Sequence, residues 1–370
     1  MSTTTMRARY LDRIRRATEA ARAAGFGALV VGPSPDLAYL TGYEPMPLER
    51  PTLLVLRPDA DPVMLVPQLE RPAAAAAPTG DDLELAAWRD GDDPYEAAAR
   101  LLPARGRVAI GDRLWASHVL ALQGSVGDLA FAPASPVLGR IRAVKDEDEL
   151  AALRRAARAA DETFRGICRR PIVGRREDEI AAELAELLVR NGHDRADFTI
   201  VASGPNGASP HHEATGRTIL PGDAIVMDFG GALAGYYSDT TRTVVAERPP
   251  EGFEEVYGLV REAQEAAVDA VAPGTPIEEI DRVARGVIDR GGHGERFVHR
   301  TGHGIGREVH EPPYAVAGDA TTLEPGMTFS VEPGIYLEGR FGVRIEDIVA
   351  VTQGGVERLN RSTHDLQVVG

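Results

Sequence analysis

The chain has 370 residues, 43% of them hydrophobic, and a formal charge of −15 at pH 7. That length is long for one domain and comfortable for two, with enough apolar side chains to bury real cores. The negative charge excludes nucleic acid and anionic membrane as general electrostatic partners, because a phosphate surface would repel the chain, and it points to small molecules or a second copy of the chain instead.

Residues 6–24 read as an amphipathic helix, and their charges (Arg7, Arg9, Asp12, Arg13, Arg15, Arg16 and Glu19) leave no apolar core of a signal peptide. The apolar run 26–31 reads as a strand. Strands at 52–56 and 62–66, joined by the turn-rich link 57–61, read as a hairpin. The alanine run 73–77 between Pro72 and Pro78 reads as a helical turn without chemistry. A strand at 107–110 and a helix near 117–123 complete an α/β domain, which is placed at residues 1–141. Lys145 is the only lysine in the chain and reads as compositional bias. A charged segment, 141–149, leads into a long helix, 149–169, so the second domain is placed at 142–370. Cys168, the only cysteine, rules out an intramolecular disulfide, reads as a small core residue and fits a reducing cytoplasm. No run approaches the about 18 apolar residues of a membrane span.

The second domain matches itself. Glu179 and Ile180 recur as Glu279 and Ile280, Arg190, Gly192 and His193 recur as Arg290, Gly292 and His293, and Pro221 and Gly222 return as Pro325 and Gly326. Helix 176–191 precedes strands 198–202 and 224–229, and helix 277–290 precedes strands 297–300 and 327–331, with a further helix, 254–271, between the copies. Duplicated halves of this kind predict antiparallel strands pooled into a curved sheet with helices outside.

The repeat extends to chemistry. Asp228 closes one strand and Glu332 its counterpart, while Asp239 falls opposite Glu346. Two carboxylates about 4 Å apart repel by roughly 4 kcal/mol at an effective dielectric near 20, so four in one pocket need positive charge. A pair of divalent ions cancels four negative charges and is the cofactor expected. His303, in the glycine-rich run 302–306, would add an imidazole ligand. That run lacks the Lys and Ser or Thr that follow in a phosphate-binding loop. His211, His212 and His310 remain as candidates for proton transfer, whereas His193 and His293 read as structural turn residues, and His118, His299 and His364 have no supporting context.

Six segments then appear in order: Met-Asp-Phe-Gly at 227–230, Ser-Asp-Thr-Thr-Arg-Thr at 238–243, Gly-His-Gly-Ile-Gly at 302–306, Val-His-Glu at 309–311, Val-Glu-Pro-Gly at 331–334 and Val-Arg-Ile-Glu-Asp at 343–347. They resemble the motifs of the pita-bread metallopeptidases, the family of methionine aminopeptidase, aminopeptidase P and Xaa-Pro dipeptidase. Tyr39-Leu40-Thr41-Gly42-Tyr43 resembles the creatinase-type N-terminal domain, which methionine aminopeptidase lacks. The resemblance implies Asp228, Asp239, His303, Glu332 and Glu346 as metal ligands, with Asp239 and Glu346 bridging. It implies His211 on the substrate side, His310 at the tetrahedral intermediate, Glu332 as proton shuttle, and Arg344 holding a ligand carboxylate, with Asp239 or Glu346 favoured. His212 becomes a neighbour.

The activity implied is hydrolysis of an Xaa-Pro peptide bond by a water shared between two ions. Manganese is the first choice because oxygen ligands dominate, with cobalt or zinc next. Small peptides are the expected substrate and a homodimer the expected assembly. Dipeptide-cleaving members often carry an arginine ahead of the Glu332 strand for the substrate's free carboxylate. That position falls near Gly318, and residues 312–324 contain no basic side chain. Dipeptidase, aminopeptidase P and a hydrolase of a small non-peptide amide therefore stay open, together with a metal-free binding module.

Overall fold

Ala28, Leu29, Val30 and Val31 are all buried, so the strand Ala28–Val31 is an unbroken apolar run with cover on both faces. Leu29 and Val31 enter one hydrophobic cluster and Ala28 and Val30 another, as the two-residue period of a strand requires. The computed structural model describes residues 3–370, which divide after Arg142 into two units. In the first unit this strand sits inside a six-stranded mixed sheet. It pairs antiparallel with Leu53–Arg57, which forms a hairpin with Ala60–Pro67, and parallel with Arg105–Ile110. Helices such as Thr3–Ala23 and Ala116–Ser125 complete an α/β unit, and the alanine run begins in the short helix Arg71–Ala75.

The second unit repeats helix, helix, sheet. Helices Glu147–Ile167 and Glu177–Arg190 precede strands Arg195–Ser203, Ala224–Leu233 and Tyr236–Ala246. Helices Phe253–Asp269 and Glu278–Arg290 precede Gly302–Gly304, Glu311–Ala315, Thr328–Val331 and Asp347–Thr352. Asp146 begins the first helix with a reciprocal cap, accepting from the Glu149 N–H while Glu149 accepts from its own. Hydrogen bonds repeat with the sequence: the Gly174 N–H donates to Ile219 O and the Gly274 N–H to Leu323 O, and Ile219 and Leu323 return bonds to Arg175 O and Thr275 O. Gly222 and Gly326, the paired turn glycines, have φ of 93° and 94°, a left-handed conformation that favours glycine. Each turn feeds the strand that delivers an acid of the pair Asp228 and Glu332.

The antiparallel strands form hydrogen-bonded sheets of four, five and two strands, with one parallel pairing, Val368–Val369 against Tyr236–Ala246. The Glu346 N–H donates to Thr241 O, and Thr243 and Arg344 exchange bonds, stitching the first half to the second. One expectation fails: residues 297–300 are not a strand. The Arg285 guanidinium takes the carbonyls of Phe297 and His299, at 2.9 Å each, which holds the segment irregular.

Candidate metal centre

Asp228 stands opposite Thr241 in the register of the two central strands, and Asp239 stands opposite Gly230. The two acids are therefore diagonal neighbours on one face. Glu332 follows Thr328–Val331, with its N–H tied to Thr301 O at 2.8 Å, and Glu346 directly precedes Asp347–Thr352. His303 arrives on Gly302–Gly304, where a Cβ on Gly302 would run into Ser330 O, so only glycine lets these strands approach.

The structure brings the predicted residues together. Single ligand atoms from Asp228, Asp239 and Glu346 lie within 4.8 Å of one another, as do those of His303, Glu332 and Glu346, and those of Asp239, His303 and His310. Glu346 is common to the first two groups, as two neighbouring cation positions would require. His303 Nε2 is 3.2 Å from Glu332 and 3.5 Å from Asp239. Asp228 Oδ1 and Glu346 Oε1 are buried with no hydrogen-bond donor. Buried carboxylate oxygens without donors are costly, and four acids with one imidazole match the donor set of manganese, cobalt or zinc, so the site fits a pair of divalent ions.

Electrostatics point the same way. Burial, then the charge of Glu346 and Asp228, drives the Asp239 carboxyl well above its ordinary range. Burial, then Glu332 and Asp228, does the same to Glu346. Asp228 is raised by burial against the opposing pull of Arg344. Burial works to raise Glu332 too, but the hydrogen bond and charge of His303 outweigh it and hold this acid at about 2. Ionising all four therefore calls for cations beyond those the protein supplies.

Arg344 departs from expectation. Its Nη2 donates to Asp228 Oδ2 at 2.6 Å, not to Asp239 or Glu346. Nε rests on Thr241 Oγ1 at 3.0 Å, and Thr241 is the register partner of Asp228, which directs the fork to that acid. Glu346 is reached only through Thr241, whose hydroxyl donates to Oε2 at 2.7 Å. Nη1 donates to the Tyr336 hydroxyl at 2.7 Å.

His299, without context in the sequence, sits at 2.8 Å from the Tyr336 hydroxyl and 2.7 Å from Arg300 O. A carbonyl only accepts, so His299 Nδ1 carries the proton, and Tyr336, accepting from Arg344, donates to Nε2. Burial lowers the His299 pKa, consistent with this neutral form. A signal was present in its position four residues ahead of His303. His310 packs edge-on against His303 with ring centroids 4.1 Å apart. Partial desolvation, then the charges of His303 and Arg300, lowers it to about 4. His211, His299, Arg300, His310, Arg344 and the four acids all line one cavity of about 760 Å³. His212 does not join them; it donates to the buried Glu177 at 3.1 Å. His193 is a buried structural residue, bonded to Ser238 at 2.7 Å.

Residues 151–353 match Metallopeptidase family M24, and residues 13–144 match the Creatinase/Prolidase N-terminal domain. The chain is 44% identical over 365 residues to a probable dipeptidase PepE of Mycobacterium tuberculosis, covering 97% of this chain and 96% of that protein. It is 36% identical over 341 residues to an Xaa-Pro dipeptidase of Lactobacillus helveticus, covering 90% and 92%. The crystal structure of dipeptidase PepE from Mycobacterium ulcerans superposes with a TM-score of 0.95 at 42% identity, covering 98% of each chain. The creatinase-type unit followed by a pita-bread unit, expected from the motifs, is the fold of this chain. The chain belongs to metallopeptidase family M24 and is a metal-dependent peptidase that carries a creatinase/prolidase N-terminal domain.

Proposed function

We propose that the protein is an Xaa-Pro dipeptidase whose two divalent ions, manganese first among them, are held by Asp228, Asp239, His303, Glu332 and Glu346. The observation that carries this reading is the gathering of those five side chains in one cavity with Glu346 common to two ligand groups. Two relatives named as dipeptidases, one of them as an Xaa-Pro dipeptidase, support the substrate class. A homodimer acting in the cytoplasm completes the proposal; the family resemblance supports the first and the single cysteine the second.

When bound, a pair of such ions supplies Lewis acidity and water made acidic enough to react near neutral pH. The protein's own residues do the rest. Glu332, oriented by the Ser330 hydroxyl at 3.0 Å, is placed to take a proton from the attacking water and pass it to the leaving nitrogen. That proton matters because an Xaa-Pro amide nitrogen carries no hydrogen of its own and leaves as a secondary amine. Neutral His310 donates a hydrogen bond to the carbonyl oxygen as charge builds there. His211, which lines the same cavity with Pro210, contacts the substrate. Arg344, donating to Asp228 at 2.6 Å, opposes the burial that raises this acid and favours its ionised form.

The test is turnover of an Xaa-Pro dipeptide beside an Xaa-Pro tripeptide and a dipeptide without proline. The dipeptide with proline is expected to be cleaved fastest by at least about tenfold in kcat/KM. Faster removal of the first residue from the tripeptide would mark an aminopeptidase, and no cleavage of any peptide would mark a non-peptide amide or a binding role.

A further inference from the structure

Among the described residues, no hydrogen bond fixes the direction of the His310 imidazole. Its ring packs edge-on against His303, with centroids 4.1 Å apart, and makes no other ring contact. The chain beyond it gives little hold either. Pro312 and Pro313 carry no N–H to donate, and the pairing of Gly302–Gly304 with Glu311–Ala315 shifts register here: His303 pairs with Tyr314 but Gly304 with Glu311. The nearest firm point is the neighbouring side chain, Glu311.

Glu311 Oε1 accepts from Lys145 Nζ at 2.7 Å, in the interior of the protein. Successive side chains along an extended chain alternate in direction, so a Glu311 carboxylate drawn inward turns His310 the other way. Glu311 is indeed buried, while His310 is exposed and lines the metal cavity. Lys145 can act as an anchor because its own backbone is pinned. Its N–H donates to Gly326 O at 2.9 Å, a Cβ on Gly326 would lie 2.7 Å from its carbonyl oxygen, and Asp146 beside it caps the helix Glu147–Ile167. The ammonium end has no room to swing: a Cβ on Gly306 would lie 2.6 Å from Glu311 Oε1 and 2.9 Å from Lys145 Cε. The Gly326 turn feeds the strand Thr328–Val331 that delivers Glu332. One lysine thus ties the strand of Glu332 to the residue beside His310.

We infer that Lys145 and Glu311 are positioning residues: their buried ion pair sets His310 at a fixed place relative to Glu332, where the carbonyl oxygen gathers charge. This role rests on the part given to His310 in the proposed mechanism. A donor that must meet charge present only in the transition state loses its effect when displaced by a fraction of an ångström, whereas ground-state binding hardly changes. The loss therefore belongs in kcat and not in KM.

The experiment is a mutant cycle on the metal-loaded enzyme, using whichever peptide the wild type cleaves fastest. It compares wild type, the pair variant Lys145→Met with Glu311→Leu, His310→Ala, and all three substitutions together. The pair variant should keep two ions per chain and a KM within about threefold, while kcat falls about 10- to 100-fold. In the His310→Ala background the same pair replacement should change kcat by less than about twofold, because the group it positions is already gone. A role confined to stability would lower kcat by the same factor in both backgrounds or in neither. Should the pair variant not fold, Glu311→Gln keeps the shape without the charge, and a kcat loss of about 3- to 10-fold is expected, again absent beside His310→Ala. Wild-type kcat in the pair variant, or in Glu311→Gln in its place, overturns the positioning role, as does a loss that adds in full to that of His310→Ala; the peptidase reading then stands. A His310→Ala enzyme at the wild-type rate removes the role of His310 and this tether with it.

Discussion

Glu177 Oε1 accepts both the N–H and the hydroxyl of Ser203, at 2.8 and 2.7 Å. The same arrangement recurs in the second half, where Asp281 Oδ1 accepts the N–H and hydroxyl of Thr301 at 3.1 and 2.7 Å. Each carboxylate rides on a helix and grips the residue just before a glycine, Gly204 or Gly302. Glu177 also accepts from Asn206, His212 and Thr215, so it gathers the loop that carries His211. Asp281, through Thr301, steadies the segment leading to His303 and the carbonyl that holds Glu332.

Glu177 should make stability depend on acid. Burial works to raise its pKa, but the donors from Ser203, His212 and Thr215 outweigh this and hold it at about 2. A depressed carboxyl stabilises the fold above its unfolded value, near 4.5, and that contribution drains away as pH falls toward 2. Glu177→Gln, which turns an amide N–H₂ toward donors, should cost on the order of 3 kcal/mol at pH 7. Chemical denaturation across pH checks this: the gap between variant and wild type should narrow below about pH 4. A gap constant down to pH 3 would show that the charge of Glu177 is not what the loop uses.

Lys145 carries a different lesson. Its Nζ meets Glu311 Oε1 at 2.7 Å, and both side chains are almost wholly buried, at 1% and 3% exposure. A Cβ on Gly306 would come within 2.9 Å of the lysine stem, so the slot is narrow, and a slim ammonium fits where a planar guanidinium would crowd. Lys145→Met should destabilise by about 3 to 5 kcal/mol, because it strips the counter-charge from a buried acid beside His310. Adding Glu311→Leu should recover much of that loss in melting experiments. An equal loss in the double variant would mean that packing, not charge, sets the cost.

Legibility followed the nature of each signal. The repeat and the four acids could be read because paired spacing, the two Pro-Gly turns and the strand ends are written in residue order. The hairpin at 53–67 and the long helices could be read from period and punctuation. Residues 297–300 could not, because apolar content does not reveal that Arg285, twelve residues earlier, takes the carbonyls. The role of Lys145 was hidden for the same reason: a lone residue has no pattern, and its partner lies 166 positions away. The partner of Arg344 depends on strand register, which composition does not encode, and His299 gains meaning only once Tyr336 joins it to Arg344.

Arg344→Lys tests the guanidinium fork. A single ammonium cannot reach Asp228, Tyr336 and Thr241 together, so kcat/KM should fall about 10- to 100-fold, with weaker retention of metal on dialysis. Steady-state kinetics alongside metal analysis of the dialysed protein decide the matter. Wild-type values in both would remove Arg344 from the support of the centre.

On the proposed reading, Asp228, Asp239, Glu332 and Glu346 stay ionised together only around two cations, and those cations make the protein a peptidase. The decisive measurement is the metal content of the purified wild type and of Asp239→Ala, with Xaa-Pro dipeptide turnover followed on the same samples. Two divalent ions per wild-type chain are expected, with turnover lost on chelation and restored by manganese or cobalt, and a folded Asp239→Ala protein slowed by about a thousandfold or more. Full turnover from metal-free wild type, or wild-type turnover by Asp239→Ala, would contradict it.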